Sequence, residues 1–298
     1  MCMEYARSWA YQHLLLEQRL QAISSGLNES SSQDCLLLLE HQPVYTLGRG
    51  ADEAHLTFLN KHEHDDKELL QEMRNKLSRK SRGPGTARLA MDRRMDWNQL
   101  FQQYQDDHDA MIDHLLQQVA ASPVLVPTAT GELTPIFRVE RGGEVTFHGP
   151  NQLVGYPLLN LNAQHAHYQR DLHWYLRQLE QVIILTLQAY GIEGVRDDIN
   201  TGVWVDQHKI AAVGVSASRW ITTHGFALNV DPDLTYFDTS TILPCGIEGR
   251  GVTSMAQMLR HRGAEESELP TMLQVADTFL HKMMEVFQVD LEQGPTIS

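Results

Sequence analysis

The sequence predicts an α+β fold, with helices flanking a mostly antiparallel mixed sheet. Three observations carry that reading. Apolar residues recur at helical spacing near the N-terminus, over 172–183 and again at the C-terminus; short apolar runs broken by glycine fill 134–230; and two of those runs form a hairpin pattern. The 298 residues suit one domain with an ample core, and the reading is a single domain over 1–298.

The elements follow in order. Trp9, His13, Leu16 and Leu20 mark a first helix, stopped at Ser24-Ser25-Gly26. Cys35 to Glu40 (CLLLLE) is too short for a stable helix and reads as a buried strand running into a loop at Pro43, Gly48 and Gly50. Residues of about 60–127 change texture. Arg74 to Arg94 holds eight bases and one acid, Asp92, with polar helical stretches on either side: one ends near Leu77, the other runs from Trp97 to about Val119. This segment is expected to be a solvated, partly disordered surface insertion.

After Pro127, Ile136-Phe137-Arg138-Val139 leads into RGGEVTFHGPNQLVGYP. Leu172, Tyr175, Leu176, Leu179 and Ile183 then form an amphipathic helix closed by Gly191. GVWV from Gly202 and KIAAVGV from Lys209 read as a hairpin, Trp220 to Val230 as a further strand, and Met272 to Phe287 as a last helix.

Composition narrows the function. The formal net charge is −14, from 38 acids and 24 bases, which argues against a general nucleic-acid binder. No run approaches the roughly 20 apolar residues of a membrane span. Cys2, Cys35 and Cys245 are too few and too scattered for a disulfide framework, and no signal or transit peptide is evident, so a cytoplasmic protein is expected. Phosphate-loop, dinucleotide-fold and HExxH motifs are absent, and with 15 histidines in the chain the pairs His62/His64 and His165/His167 are chance spacings, so no metal is expected.

Three stretches could carry chemistry. In RGGEVTFHGP, adjacent glycines would let backbone approach a ligand, with Arg141 and His148 holding its polar end; the plainer alternative is a glycine-rich turn inside a sheet. Cys245 lies between Pro244 and Gly246 on a tight turn, where an exposed thiol can act as a nucleophile, whereas Cys35 is a structural hydrophobe. Lys209 opens an apolar strand. It is either a snorkelling strand-end cation or a charge that lowers a thiol's pKa and shuttles a proton, and spacing does not choose between these.

Four blocks in order, HQPVYTLGRGAD from His41, RGGEVTFHGPNQLVGYP from Arg141, KIAAVGVSASRWITTHGFALNV from Lys209 and PCGIEGRGVTSM from Pro244, closely resemble the octanoyl-acyl-carrier-protein:protein N-octanoyltransferases, the lipoate-protein ligase B family. The resemblance covers most of 1–60 and 134–260. It implies the catalytic fold shared by biotin and lipoate protein ligases, and an acyltransferase that moves an octanoyl group from acyl carrier protein to a lysine of lipoyl domains. The acceptors would be 2-oxoacid dehydrogenases and the glycine cleavage H protein, with no resident cofactor, since the donor itself carries phosphopantetheine. Cys245 would be the acyl-thioester nucleophile and Lys209 the residue that lowers its pKa. Arg141, Gly142, Gly143, Glu144, Val145, Thr146, Phe147, His148, Ala212, Val213, Gly214, Gly225, Phe226 and Ala227 would line the acyl site. Three departures stand out: Asn151 replaces the glycine the family usually has after HGP, the 60–127 segment is longer than usual, and the Lys209-to-Cys245 spacing is slightly longer, through the loop around Pro232 to Thr241, which leaves the pairing intact. The Arg74–Arg94 cluster is a candidate patch for an acidic carrier protein. Rival readings are an ATP-dependent ligase of the same fold, which needs no cysteine, a non-catalytic lipoyl-domain binder, and a thioesterase-like hydrolase.

Overall fold

A stripe of Tyr5, Trp9, Leu14 and Leu16 buries one side of the first helix, α1 (Tyr5–Ser24), in a computed structural model that describes residues 2–25, 34–61, 67–82, 85–92, 94–105, 107–119, 121–163, 167–243, 250–294 and 296. The strand β1 (Cys35–Leu39) follows, and then β2 (Val44–Leu47), where the sequence suggested a loop. Val-Tyr-Thr-Leu is a β-prone run, and all four of its residues are buried. Pro43 and Gly48 at its ends mask it.

The described part of 60–127 holds α2 (Phe58–Lys61), α3 (Lys67–Leu77), α4 (Trp97–Tyr104) and α5 (His108–Gln118), and then β3 (Val124–Pro127). Two expectations change here. The stretch 97–119 is two helices, because Gln105 turns at φ 48° and the Asp107 carboxylate caps α5 through the Ala110 amide. These residues are also part of the packed core rather than a solvated excursion. Leu100, Met111, Ile112 and Leu115 are buried against α1, and Arg7 pairs with Asp109 (2.7 Å) and Asp113 (2.6 Å) across that contact. The apolar stripe is thin and its surroundings polar, so composition hides it.

β4 (Leu133–Arg138), β5 (Val145–His148), β6 (Gln152–Leu158), α6 (Leu172–Ala189), β7 (Val195–Arg196), β8 (Val203–Val205), β9 (His208–Ser218) and β10 (Ile221–Asn229) precede α7 (Met255–His261) and α8 (Met272–Phe287). The strands form two sheets where the sequence suggested one. A six-stranded antiparallel sheet runs β1-β6-β10-β9-β8-β7, and a four-stranded sheet runs β3-β4-β2-β5, in which β2 and β4 are parallel. The chain crosses between them at Gly149-Pro150-Asn151. Asn151 sits at φ 60°, a conformation asparagine tolerates in place of glycine, and its amide donates to Glu40 Oε2 at 2.7 Å.

The six-stranded sheet buries Val203, Ile210, Phe226 and Leu228 against α6 and α8, with the Phe226 and Phe279 rings stacked at 4.4 Å. The four-stranded sheet closes a second cluster around Tyr45, Ile136 and Phe147. Among the described residues no helix is long and apolar enough to cross a membrane. The two sheets meet along β9, β10 and the loop between β4 and β5, and a cavity opens there.

Candidate active site

The loop after β4 is built for close backbone contact. A Cβ on Gly48 would stand 2.2 Å from the Gly143 carbonyl oxygen, and one on Gly214 would stand 3.0 Å from that of Gly142. Gly143 itself lies at φ 84°. Arg141 locks the loop: its Nη2 donates to Thr46 O at 2.8 Å and Thr46 Oγ1 at 2.7 Å, and its Nη1 to Gly142 O at 2.9 Å. The guanidinium thus supports the wall from behind.

A cavity of about 260 Å³ lies between this loop and β9/β10. Arg141, Gly142, Gly143, Glu144, Val145, Thr146, His148, Ala212, Val213, Gly214, Gly225, Phe226 and Ala227 line it, together with Lys209. Phe147 does not. Alternation on β5 sends its ring to the opposite face, stacked on Tyr236 at 4.3 Å and close to Phe237 and Tyr45. Leu176, Ile199, Asn200 and Thr201 at the mouth, and Tyr5, Tyr156 and His224 in the wall, are lining residues the sequence did not single out.

Lys209 is 7% exposed. Its Nζ donates to Thr201 O at 3.1 Å and stands 4.7 Å from the centre of the Trp204 ring. Its backbone bridges in parallel to Val252, donating to Gly251 O and accepting from Thr253 N, both at 3.0 Å. Cys245 belongs to residues 244–249, which lie outside the described residues. The chain on either side is fixed. Leu243 N donates to His55 O at 2.8 Å; Arg250 pairs with Asp197 at 2.5 Å and lies 3.8 Å over the Trp204 ring. The chain next to the cysteine therefore runs beside Lys209.

The deep wall is polar and tightly bonded. Glu140 receives His224 Nε2 at 3.0 Å, His13 Nε2 at 2.9 Å and the Trp9 indole N–H at 3.1 Å. Burial alone would raise its pKa, but the two imidazoles outweigh this and hold the carboxylate well below its ordinary value. His224 adopts φ 58°, which turns its ring toward Glu140. Beside it, His41 donates through Nδ1 to Met3 O at 3.1 Å, so its Nε2 accepts from the Tyr156 hydroxyl at 2.7 Å. Burial pushes the His41 pKa down to about 4 and drives that of His148 well below the ordinary value, so both are neutral. His148 donates to Gln152 Oε1 at 2.9 Å; like Arg141, it is committed to the scaffold.

Residues 124–283 match the lipoyl protein ligase A/B catalytic domain, more than half of the chain. The octanoyltransferase of Synechococcus elongatus is 40% identical over 256 residues, covering 86% of this chain and 75% of its own length. That of a Nostoc species is 38% identical over 277 residues, with coverage of 93% and 88%. The chain belongs to the octanoyltransferase family. Among solved structures, a lipoate-protein ligase A bound with ATP superimposes on this octanoyltransferase-family chain with a TM-score of 0.54 at 10% identity, covering 99% of this chain and 87% of that one, which establishes the shared fold. The Arg141–Glu144 loop is the clamp between the two sheets, and Lys209 stands at the cavity.

Proposed function

We propose that the protein transfers an octanoyl group from octanoyl-acyl carrier protein to a lysine ε-amine of lipoyl domains through a thioester on Cys245. The observation that carries this reading is a nearly buried Lys209 in the cavity wall, backbone-paired to the strand that follows the cysteine segment. Lysine in its ammonium form favours the Cys245 thiolate, which attacks the octanoyl thioester. The C–S bond to phosphopantetheine breaks, and the departing thiolate takes a proton from Lys209. Neutral Lys209 then accepts a proton from the incoming lysine ammonium, whose amine attacks acyl-Cys245. As the amide forms, the attacking nitrogen gives its second proton to solvent, the thiolate is released and the ion pair is restored. Thioester exchange is nearly balanced in energy and amide formation is downhill, so no nucleotide is required.

Small residues make room for the chain at Gly142, Gly143, Ala212 and Gly214. Each buried methylene contributes roughly 0.8 kcal/mol, which selects against much shorter acyl groups. The acceptors are the lipoyl domains of 2-oxoacid dehydrogenases and the glycine cleavage H protein, and the scattered thiols fit a cytoplasmic setting.

Intact mass after incubation with octanoyl-acyl carrier protein tests the reading. Wild type is expected to gain one octanoyl group that hydroxylamine removes; Cys245→Ser gains none and Lys209→Ala is acylated slowly. Lipoyl-domain modification that requires free octanoate and ATP, with no adduct on the protein, would overturn it in favour of a ligase.

A further inference from the structure

The basic segment is not uniformly neutralised. At its ends Lys76 pairs with Glu72 at 2.7 Å and Arg94 with Asp92 at 3.3 Å. In its centre, Arg79, Lys80 and Arg82 are exposed and Arg88 is half-buried, and among the described residues none of the four side chains forms an ion pair with a carboxylate. The guanidiniums of Arg82 and Arg88 reach only backbone carbonyls: Arg82 Nη1 donates to Arg79 O at 2.6 Å and Ser81 O at 2.9 Å, and Arg88 Nη2 to Arg79 O at 3.2 Å. Burial, and then the neighbouring Arg82 charge, push the Arg88 pKa below its ordinary value, with Glu140 acting against them. A chain of net charge −14 thus keeps one concentrated cationic turn.

That turn is coupled to the cavity rim. Arg79 N donates to Glu53 Oε1 at 2.7 Å, and the same carboxylate pairs with Arg138 at 3.0 Å. Arg138 in turn donates to Gly48 O at 3.2 Å. Gly50 N reaches Gly143 O and Asp52 N reaches Glu144 Oε2, and both Gly143 and Glu144 line the cavity.

We propose that the turn of Arg79, Lys80, Arg82 and Arg88 is the docking surface for the acidic carrier protein that delivers the acyl group. The inference rests on the donor assigned above. Reach decides which acidic partner fits. An acceptor lysine extends about 6 Å beyond its own backbone, so a lipoyl domain must sit directly over the mouth. A phosphopantetheine arm is several times longer than a lysine side chain, so a carrier can dock to one side of the mouth, and this turn is joined to the Gly48 loop through Glu53 and Arg138. The unpaired cations provide charge complementarity and steering.

The test compares wild type with the triple variant Arg79→Glu, Lys80→Glu, Arg82→Glu, using octanoyl-acyl carrier protein and the protein-free donor octanoyl-pantetheine. The expected result is a loss of about thirtyfold in kcat/KM for the carrier-borne donor, smaller at high ionic strength, with octanoyl-pantetheine turnover unchanged. The Gln triple variant is expected to fall between the two. Unchanged kinetics with the carrier, an equal loss with octanoyl-pantetheine, or a rise confined to the lipoyl-domain KM would each overturn the assignment. A wild-type protein that takes octanoyl from neither donor would instead overturn the donor reading itself.

Discussion

The polar interior of the four-stranded sheet and the polar end of the cavity treat a buried cation in opposite ways. Arg138, 1% exposed, spends its guanidinium on Leu77 O at 2.7 Å, Gly48 O at 3.2 Å and Glu53 at 3.0 Å. Lys209, 7% exposed, makes a single side-chain hydrogen bond among the described residues, from Nζ to Thr201 O. A buried cation whose donors are all taken holds structure together; one with donors to spare can exchange a proton. Charge and burial alone do not separate a structural cation from a chemical one, whereas the use of its N–H groups does.

Replacement of each cation is the sharpest way to break the comparison. Lys209→Met is expected to lower kcat/KM for octanoyl transfer about a thousandfold with little change in the denaturation midpoint, since on the proposed mechanism it removes a proton carrier rather than a brace. Arg138→Met is expected to do the reverse. It takes from Glu53 its ion-pair partner and from Leu77 O and Gly48 O a charged donor, and costs about 3 kcal/mol in urea unfolding, while the fraction that remains folded stays active. Equal activity losses in the two variants would erase the distinction.

The neutral imidazoles of the deep wall sharpen it by pH. His41 is held at about 4, below its ordinary 6.5, so between those values the unfolded chain takes up a proton that the folded protein refuses. Stability is therefore whole above pH 6.5 and falls as pH drops toward 4, with His41 contributing about 3 kcal/mol of the loss. Thermal melts of wild type and His41→Gln across this window are expected to diverge at neutral pH and converge in acid; parallel curves would contradict the assignment. The smallest effect belongs to the α1–α5 contact. Arg7→Ala removes partly exposed ion pairs and is expected to cost about 1 kcal/mol in chemical denaturation, with octanoyl transfer unaltered.

These regions were legible in the sequence to different degrees. Lys209 at the head of an apolar strand and the glycines of Arg141-Gly142-Gly143 announce themselves through local pattern, and the structure brings them to one cavity. Phe147 was misjudged because a block read as a unit hides the alternation that turns every second side chain away. β2 was hidden by Pro43 and Gly48. The thin stripe of α4 and α5 was hidden by a polar, basic neighbourhood that describes its outer face only. Glu140, His13 and His224 could not be joined at all, because no local spacing links positions 127 and 84 residues apart.

That last cluster has a consequence for how the molecule is made. Gln12 accepts the His224 backbone amide across a separation of 212 residues, and His13 closes the same knot through Glu140. Helix α1 is made 212 residues before the strand residue that Gln12 binds, so this contact is among the last to form. At roughly 5–20 residues per second the helix waits roughly 10–40 s for its partner strand to be synthesised. Until then Glu140 lacks its His224 partner, so the deep wall of the cavity is completed late, by joining segments made far apart in time.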